Sequence, residues 1–89
     1  MNEYMVELYV SRADAGAVER AVQLTRGAAA EMTRLGTPVR FLRSIYVAED
    51  ETCIFLYAAE SEAAVREAAG AAGRPFDHVA EVIEEPLTS

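Results

Sequence analysis

From Tyr4 to Val10 the side chains alternate between two sets, Tyr4, Val6, Leu8 and Val10 against Met5, Glu7 and Tyr9. A period of two in a run rich in Val, Leu and Tyr predicts a strand with one face turned to a core. The pattern then lengthens. Val18, Ala21, Val22, Thr25, Ala28, Ala29, Met32 and Leu35 recur at three- and four-residue spacing, which predicts a long helix capped by Asp14 and stopped by Gly36 and Pro38. Val39–Val47 and Thr52–Ala59, dense in β-branched and aromatic residues, predict two further strands, and the acidic segment Ala48–Glu51 is short enough for a hairpin between them. Ser61 stands where it can cap a second helix whose stripe is Ala64, Val65, Ala68, Ala69 and Ala72. Gly73 and Pro75 end it, and Val79–Glu84 reads as a last strand.

The order βαββαβ predicts an α+β, ferredoxin-like architecture, a four-stranded antiparallel sheet in the order 4-1-3-2 with two helices on one face. Met5 and Tyr9, with part of the Phe41, Ile45 and Ile54 set, are then left on the other face and need a cover. A homodimer that stacks two such faces into an α+β barrel supplies one and leaves a cavity between the sheets. The helix stripes are mostly Ala, which gives close packing but little apolar area, so burial in the dimer matters to stability.

A length of 89 residues fits one domain spanning 1–89, with a core of one modest layer. Eight basic residues against 15 acidic ones give a net charge of −7, which argues against nucleic acid or an anionic membrane as partner. Arg12, Arg20, Arg26, Arg34 and Arg40 are scattered among acids and form no patch. No apolar run approaches the roughly 20 residues of a membrane span. Met1–Val10 has neither the basic start nor the apolar core of a secretory signal, so a cytoplasmic location is expected.

The segment from Val39 to Cys53, above all Arg43-Ser44 and Glu49-Asp50-Glu51-Thr52-Cys53, together with the turn Gly73-Arg74-Pro75-Phe76-Asp77, resembles the signature of a family of small uncharacterised bacterial domains. Some relatives in that family are described as nickel-binding or nickel-responsive. The resemblance covers nearly the whole chain and implies ferredoxin-like dimers. This chain departs from it in having Ala48 where Pro is common, and Ala58-Ala59-Glu60-Ser61 in place of a Glu-Ala-Pro-Ser run. Arg74 stands where the nickel-binding relatives have a His, so the resemblance implies the fold but not the metal.

The residues themselves agree. Nickel, copper or zinc is held by several imidazole, thiolate or carboxylate groups converging on one point, and one His with one Cys does not build that set. No metal ligands, cofactor or catalytic residues are therefore assigned. His78 is expected in a solvated turn and Cys53 as a buried thiol without a second Cys or a base beside it. Glu49-Asp50-Glu51 lacks the ligand spacing and Gly of a calcium loop and reads as a solvated turn.

Glu7 differs from these, because it sits mid-strand between Met5 and Tyr9 on the face that lacks a helix. Covered there, a carboxylate must pair or take up a proton. Glu81 on the adjacent strand and Arg43 two strands away are candidate neighbours, and with Tyr9 and Phe41 they make a predicted ligand-binding set of Glu7, Tyr9, Phe41, Arg43 and Glu81. Three uses stay open: an interface ion pair Glu7–Arg43, a pocket for a small molecule or metal ion, and cofactor-independent catalysis. In the last, an oxygenase or isomerase type, Glu7 would be the base and Tyr9 or His78 the proton donor. An accessory protein acting through contacts with a larger enzyme is a further alternative.

Overall fold

The computed structural model describes residues 1–83. Strand β1 (Asn2–Tyr9) leads into α1 (Ala17–Arg34), β2 (Val39–Val47), β3 (Thr52–Ala59), α2 (Glu62–Ala71) and β4 (His78–Val82), with a 3-10 turn at Ala48–Asp50 joining the central strands. The strands form one antiparallel sheet in the order β2-β3-β1-β4. This is the expected 4-1-3-2 order read from the opposite edge, and the fold is ferredoxin-like α+β. Glu84, the expected end of the last strand, lies outside the described residues.

Alternation settles which face is covered. Tyr4, Val6 and Leu8 of β1 and Cys53, Phe55, Tyr57 and Ala59 of β3 are buried under the helices, whose own contribution is largely alanine: Ala17, Ala21 and Ala29 from α1, and Ala64, Ala68 and Ala69 from α2. Small helical side chains let the two layers approach, so the bulk of the core comes from sheet aromatics. Phe41 meets Phe55 and Tyr57 edge-on, with ring centroids 5.4 and 5.8 Å apart. The Arg26 guanidinium lies 5.8 Å from the centroid of the Phe41 ring.

The helix ends show where local chemistry decided and where it did not. Ser61 caps α2 as expected, its hydroxyl accepting from the Ala64 amide at 3.2 Å. Asp14 does not cap α1. Gly16 takes the left-handed conformation with φ 84°, which only a glycine adopts cheaply, and the helix begins one residue later. Asp14 instead accepts from Arg20 at 2.8 Å and from the Ala17 amide through its backbone carbonyl. At the other end the Thr37 amide donates to Met32 and the Gly36 amide to Thr33, a Schellman arrangement made possible by φ 106° at Gly36. Leu35, expected on the core stripe, is the C-cap residue and is exposed.

One irregularity redirects the functional reading. Between Phe41 and Arg43 the pairing of β2 with β3 slips by one residue: Phe41 stands opposite Tyr57, but Arg43 stands opposite Leu56. Leu42 is the extra residue of a β-bulge. Because side chains alternate, the slip turns Val39 and Phe41 toward the helices, while Arg43, Ile45 and Val47 face away from them.

Gly27 lies in the middle of α1, and a Cβ built there meets nothing within 4 Å. Gly27→Ala should therefore raise stability by about 0.5–1 kcal/mol, read as an upward shift of the urea midpoint without change in slope.

Candidate functional site

The register defines the uncovered face row by row. One row runs His78, Glu7, Ile54, Ile45 across β4, β1, β3 and β2, and the next runs Ala80, Met5, Leu56, Arg43. A third, beyond Met5, holds Val82, Glu3, Ala58 and Arg40, and at the hairpin end Tyr9 is followed by Thr52 and Val47. The centre is apolar, formed by Met5, Ile54, Leu56 and Ile45. Charge is segregated around it, with acids on β1 and guanidinium groups on β2.

Three of the five residues expected at the site share this face, Glu7, Tyr9 and Arg43. Two do not. Phe41 is on the helix side because of the bulge at Leu42. Glu81 stands opposite Tyr4 and so projects to the helix side as well, and the residue actually across from Glu7 is His78. His78 is thus the functional candidate whose placement the sequence reading missed; the signal was the one-residue frame of β4, which Asp77 donating to the Glu7 carbonyl at 2.8 Å helps to fix.

Arg43 is also displaced relative to Glu7. It lies two strands away and one row over, which puts the two Cα atoms roughly 12 Å apart on standard sheet spacings. The ion pairs among the described residues are Arg20–Asp14, Arg34–Glu31 and Arg66–Glu62, so Glu7 and Arg43 are not paired within the chain.

The turn Ala48–Glu51 does more than the solvated loop expected of it. Glu51 adopts φ 50°, and its carboxylate accepts from the Arg12 amide at 3.0 Å and the Tyr9 hydroxyl at 3.4 Å. Its carbonyl accepts from the Val10 amide at 3.0 Å. The Arg12 amide, with Ser11 and Tyr9, holds this carboxyl below the usual carboxylate range, only partly offset by burial. Glu51 thus ties the β1–α1 connection, and the Tyr9 ring, to the hairpin. Since its folded value is depressed, its contribution is present above the ordinary carboxylate pKa and lost as pH falls. Glu51→Gln should lower the melting temperature at pH 7 and flatten its decline in acid, measured by circular dichroism from neutral to acidic pH.

On the opposite side of the sheet an open pocket of about 270 Å³ lies at the α1–β2 edge, lined by Arg26, Ala29, Ala30, Val39, Arg40 and Phe41, and the interior itself has little room. The cavity between helices and sheet, lined by Thr25, Phe55, Tyr57 and Phe76 among others, is about 10 Å³, which admits one water at most. Cys53 is buried there, and burial pushes its thiol up, with Arg74 opposing. His78 and Cys53 therefore lie on opposite faces of the sheet. No group of three or more His, Cys, Asp or Glu side chains converges among the described residues. The donor set that the described residues of one chain bring together does not fit a nickel centre. Among the described residues, no helix is long and apolar enough to cross a membrane.

A small antiparallel α+β sandwich with one bare, charge-bordered sheet face is thus the class of protein that the geometry defines. The chain belongs to the family described as nickel responsive protein SCO4226-like, whose model matches residues 4–82. A crystal structure of SCO4226 from Streptomyces coelicolor A3(2) superposes with a TM-score of 0.74 at 19% identity, covering 98% of this chain and 99% of that one. At that identity the likeness concerns the fold. No curated protein matches the chain significantly.

Proposed function

We propose that the chain acts as a homodimeric binding module, stacking its bare sheet face on that of a second copy and holding a small organic acid in the cavity between the sheets. The observation that carries this reading is the distribution of charge on the bare face. Arg40 and Arg43 flank the apolar centre on β2, and Glu3 and Glu7 flank it on β1. A twofold contact is isologous: where the basic patch of one copy meets the acidic patch of the other, symmetry repeats the contact in reverse, so a face bearing both signs is able to complement itself.

The apolar side chains Met5, Ile54, Leu56 and Ile45 exclude water, and Arg43, which has no carboxylate partner among the described residues, supplies a planar pair of donors for a carboxylate. Glu7 and Tyr9 then set the polarity of the remaining wall.

Light scattering at micromolar concentration is the direct test, with twice the chain mass expected and a stable monomer mass counting against the dimer. Thermal shift separates the ligand from the assembly, since a ligand stabilises in proportion to the logarithm of its concentration over Kd. Small apolar carboxylic acids should raise the melting temperature of the wild type and not of Arg43→Met. Stabilisation by Ni²⁺ in their place would move the reading to a metal shared by the Glu7 and His78 side chains of two copies.

A further inference from the structure

Among the described residues a second apolar surface is left uncovered, and the charged side chains that line it are acidic. Between the outward sides of α1 and α2 runs a groove of about 530 Å³, lined by Leu24, Gly27, Ala28, Leu35 and Ala71 among its small and apolar residues. Leu24 and Leu35 are 55% and 68% exposed, high for leucines on or beside a helix that buries another stripe. Leu24, Gly27, Ala28, Glu31 and Leu35 stand at i, i+3, i+4, i+7 and i+11 on one side of the helix, distinct from the buried series Ala21, Thr25, Ala29 and Met32. From Leu24 to Leu35 that second stripe is about 16 Å long, or three helical turns.

The charged residues lining the groove are Glu31 and Glu67, with no arginine among its lining residues. Arg34 reaches Glu31 from outside the groove, and Glu67 has no ion-pair partner among the described residues. The groove floor includes Gly27 of α1, where an added Cβ meets nothing within 4 Å. The chain's own packing does not require that glycine, which weakens its helix. What a glycine on an outer helix face does permit is close approach of another backbone.

We propose that this groove docks an amphipathic helix of another protein, about three turns long, with apolar residues on its inner face and Lys or Arg along its flanks. A second copy of this chain is the poorer occupant, because a twofold contact here would set Glu31 and Glu67 against the same pair. An anionic lipid surface is repelled for the same reason. The small floor, with a leucine at either end of its α1 side, fits the apolar anchors of a helix at i, i+3, i+4 and i+7, and the acidic lining selects the sign of its flanks.

The probe is a synthetic helical peptide of Leu and Lys, with Leu at that spacing, titrated calorimetrically and by amide chemical shifts into the whole chain at about 0.1 M salt. Saturable one-to-one binding is expected, with shifts at Leu24, Ala28, Leu35 and Ala71. A Leu/Glu peptide of the same pattern should bind at least about tenfold more weakly, and the double variant Glu31→Lys, Glu67→Lys should reverse that preference. Gly27→Leu fills the groove while strengthening the helix, so it tests docking without endangering the fold. It should weaken the Lys peptide about tenfold or more. Unchanged affinity in a Gly27→Leu chain with intact circular dichroism, shifts confined to the sheet face, or no binding by wild type would each overturn the proposal. None of these readouts depends on whether the sheet face forms a dimer.

Discussion

Tyr57→Ala should lower the unfolding free energy by about 3–5 kcal/mol, the range for deleting a large aromatic ring from a packed interior. Tyr57 is 1% exposed at the centre of β3, with the Phe41 ring edge-on against it. The helices above it present mainly Ala, whose side chains cannot lean in to refill the space. For a small domain with a total stability of about 5–15 kcal/mol, a loss of that size takes a large share of the folded population's margin. Urea denaturation measures it, and a loss below about 1 kcal/mol would mean that the layers collapse onto the vacated volume. The hydroxyl adds a pH signature. Burial pushes the Tyr57 phenol up to about 12, with a side-chain hydrogen bond from Thr25 acting in the opposite direction. A raised folded value favours the protonated phenol, so its stabilising contribution is complete below the unfolded value of 10.0 and lost as pH climbs toward about 12. Tyr57→Phe should retain the packing and lose less stability than the wild type over that alkaline interval.

Ile54→Lys should convert the proposed dimer to a monomer. Ile54 occupies the middle of the bare face, directly opposite Glu7 on β1 and Ile45 on β2. In a single chain the new ammonium is able to pair with Glu7 across the strands, a neighbourly contact in water that keeps the sheet intact. In a twofold stack the same substitution brings two cations toward a dry centre, and an incompletely paired buried charge costs about 3–5 kcal/mol. Light scattering should therefore report the chain mass, and stabilisation by apolar acids should disappear with the cavity. A variant that keeps twice the chain mass would show that the two copies meet somewhere other than this face.

Much of the architecture was legible because its signals are local. The alternation from Tyr4 to Leu8, the Ser61 cap, the glycine stops at Gly36 and Gly73 and the short acidic turn each act over a few residues, and together they leave few ways to order four strands and two helices. The candidate site was legible only in part. Glu7 and Tyr9 fall on the bare face because the first strand keeps its period without interruption, and Arg43 reaches the same face. Phe41 was lost to the helix side by a single extra residue at Leu42, and the consecutive apolar pair Phe41-Leu42 was the one hint that strict alternation fails there.

By itself the sequence determined the element order and the inward set of β1, since periodicity and capping are properties of neighbouring residues, and the strand order followed only through the few topologies that this element order permits. The tertiary structure decided the rest. Which strand frame puts His78 rather than Glu81 across from Glu7 depends on where β4 pairs with β1. The start of α1 was taken from Asp14 by a left-handed Gly16, and Glu51 became the tie between hairpin and loop because the fold brings Arg12 to it. Register, bulges and long-range hydrogen bonds each join residues far apart in the chain, so their energies are set only when the sheet closes, and no window along the sequence contains both partners.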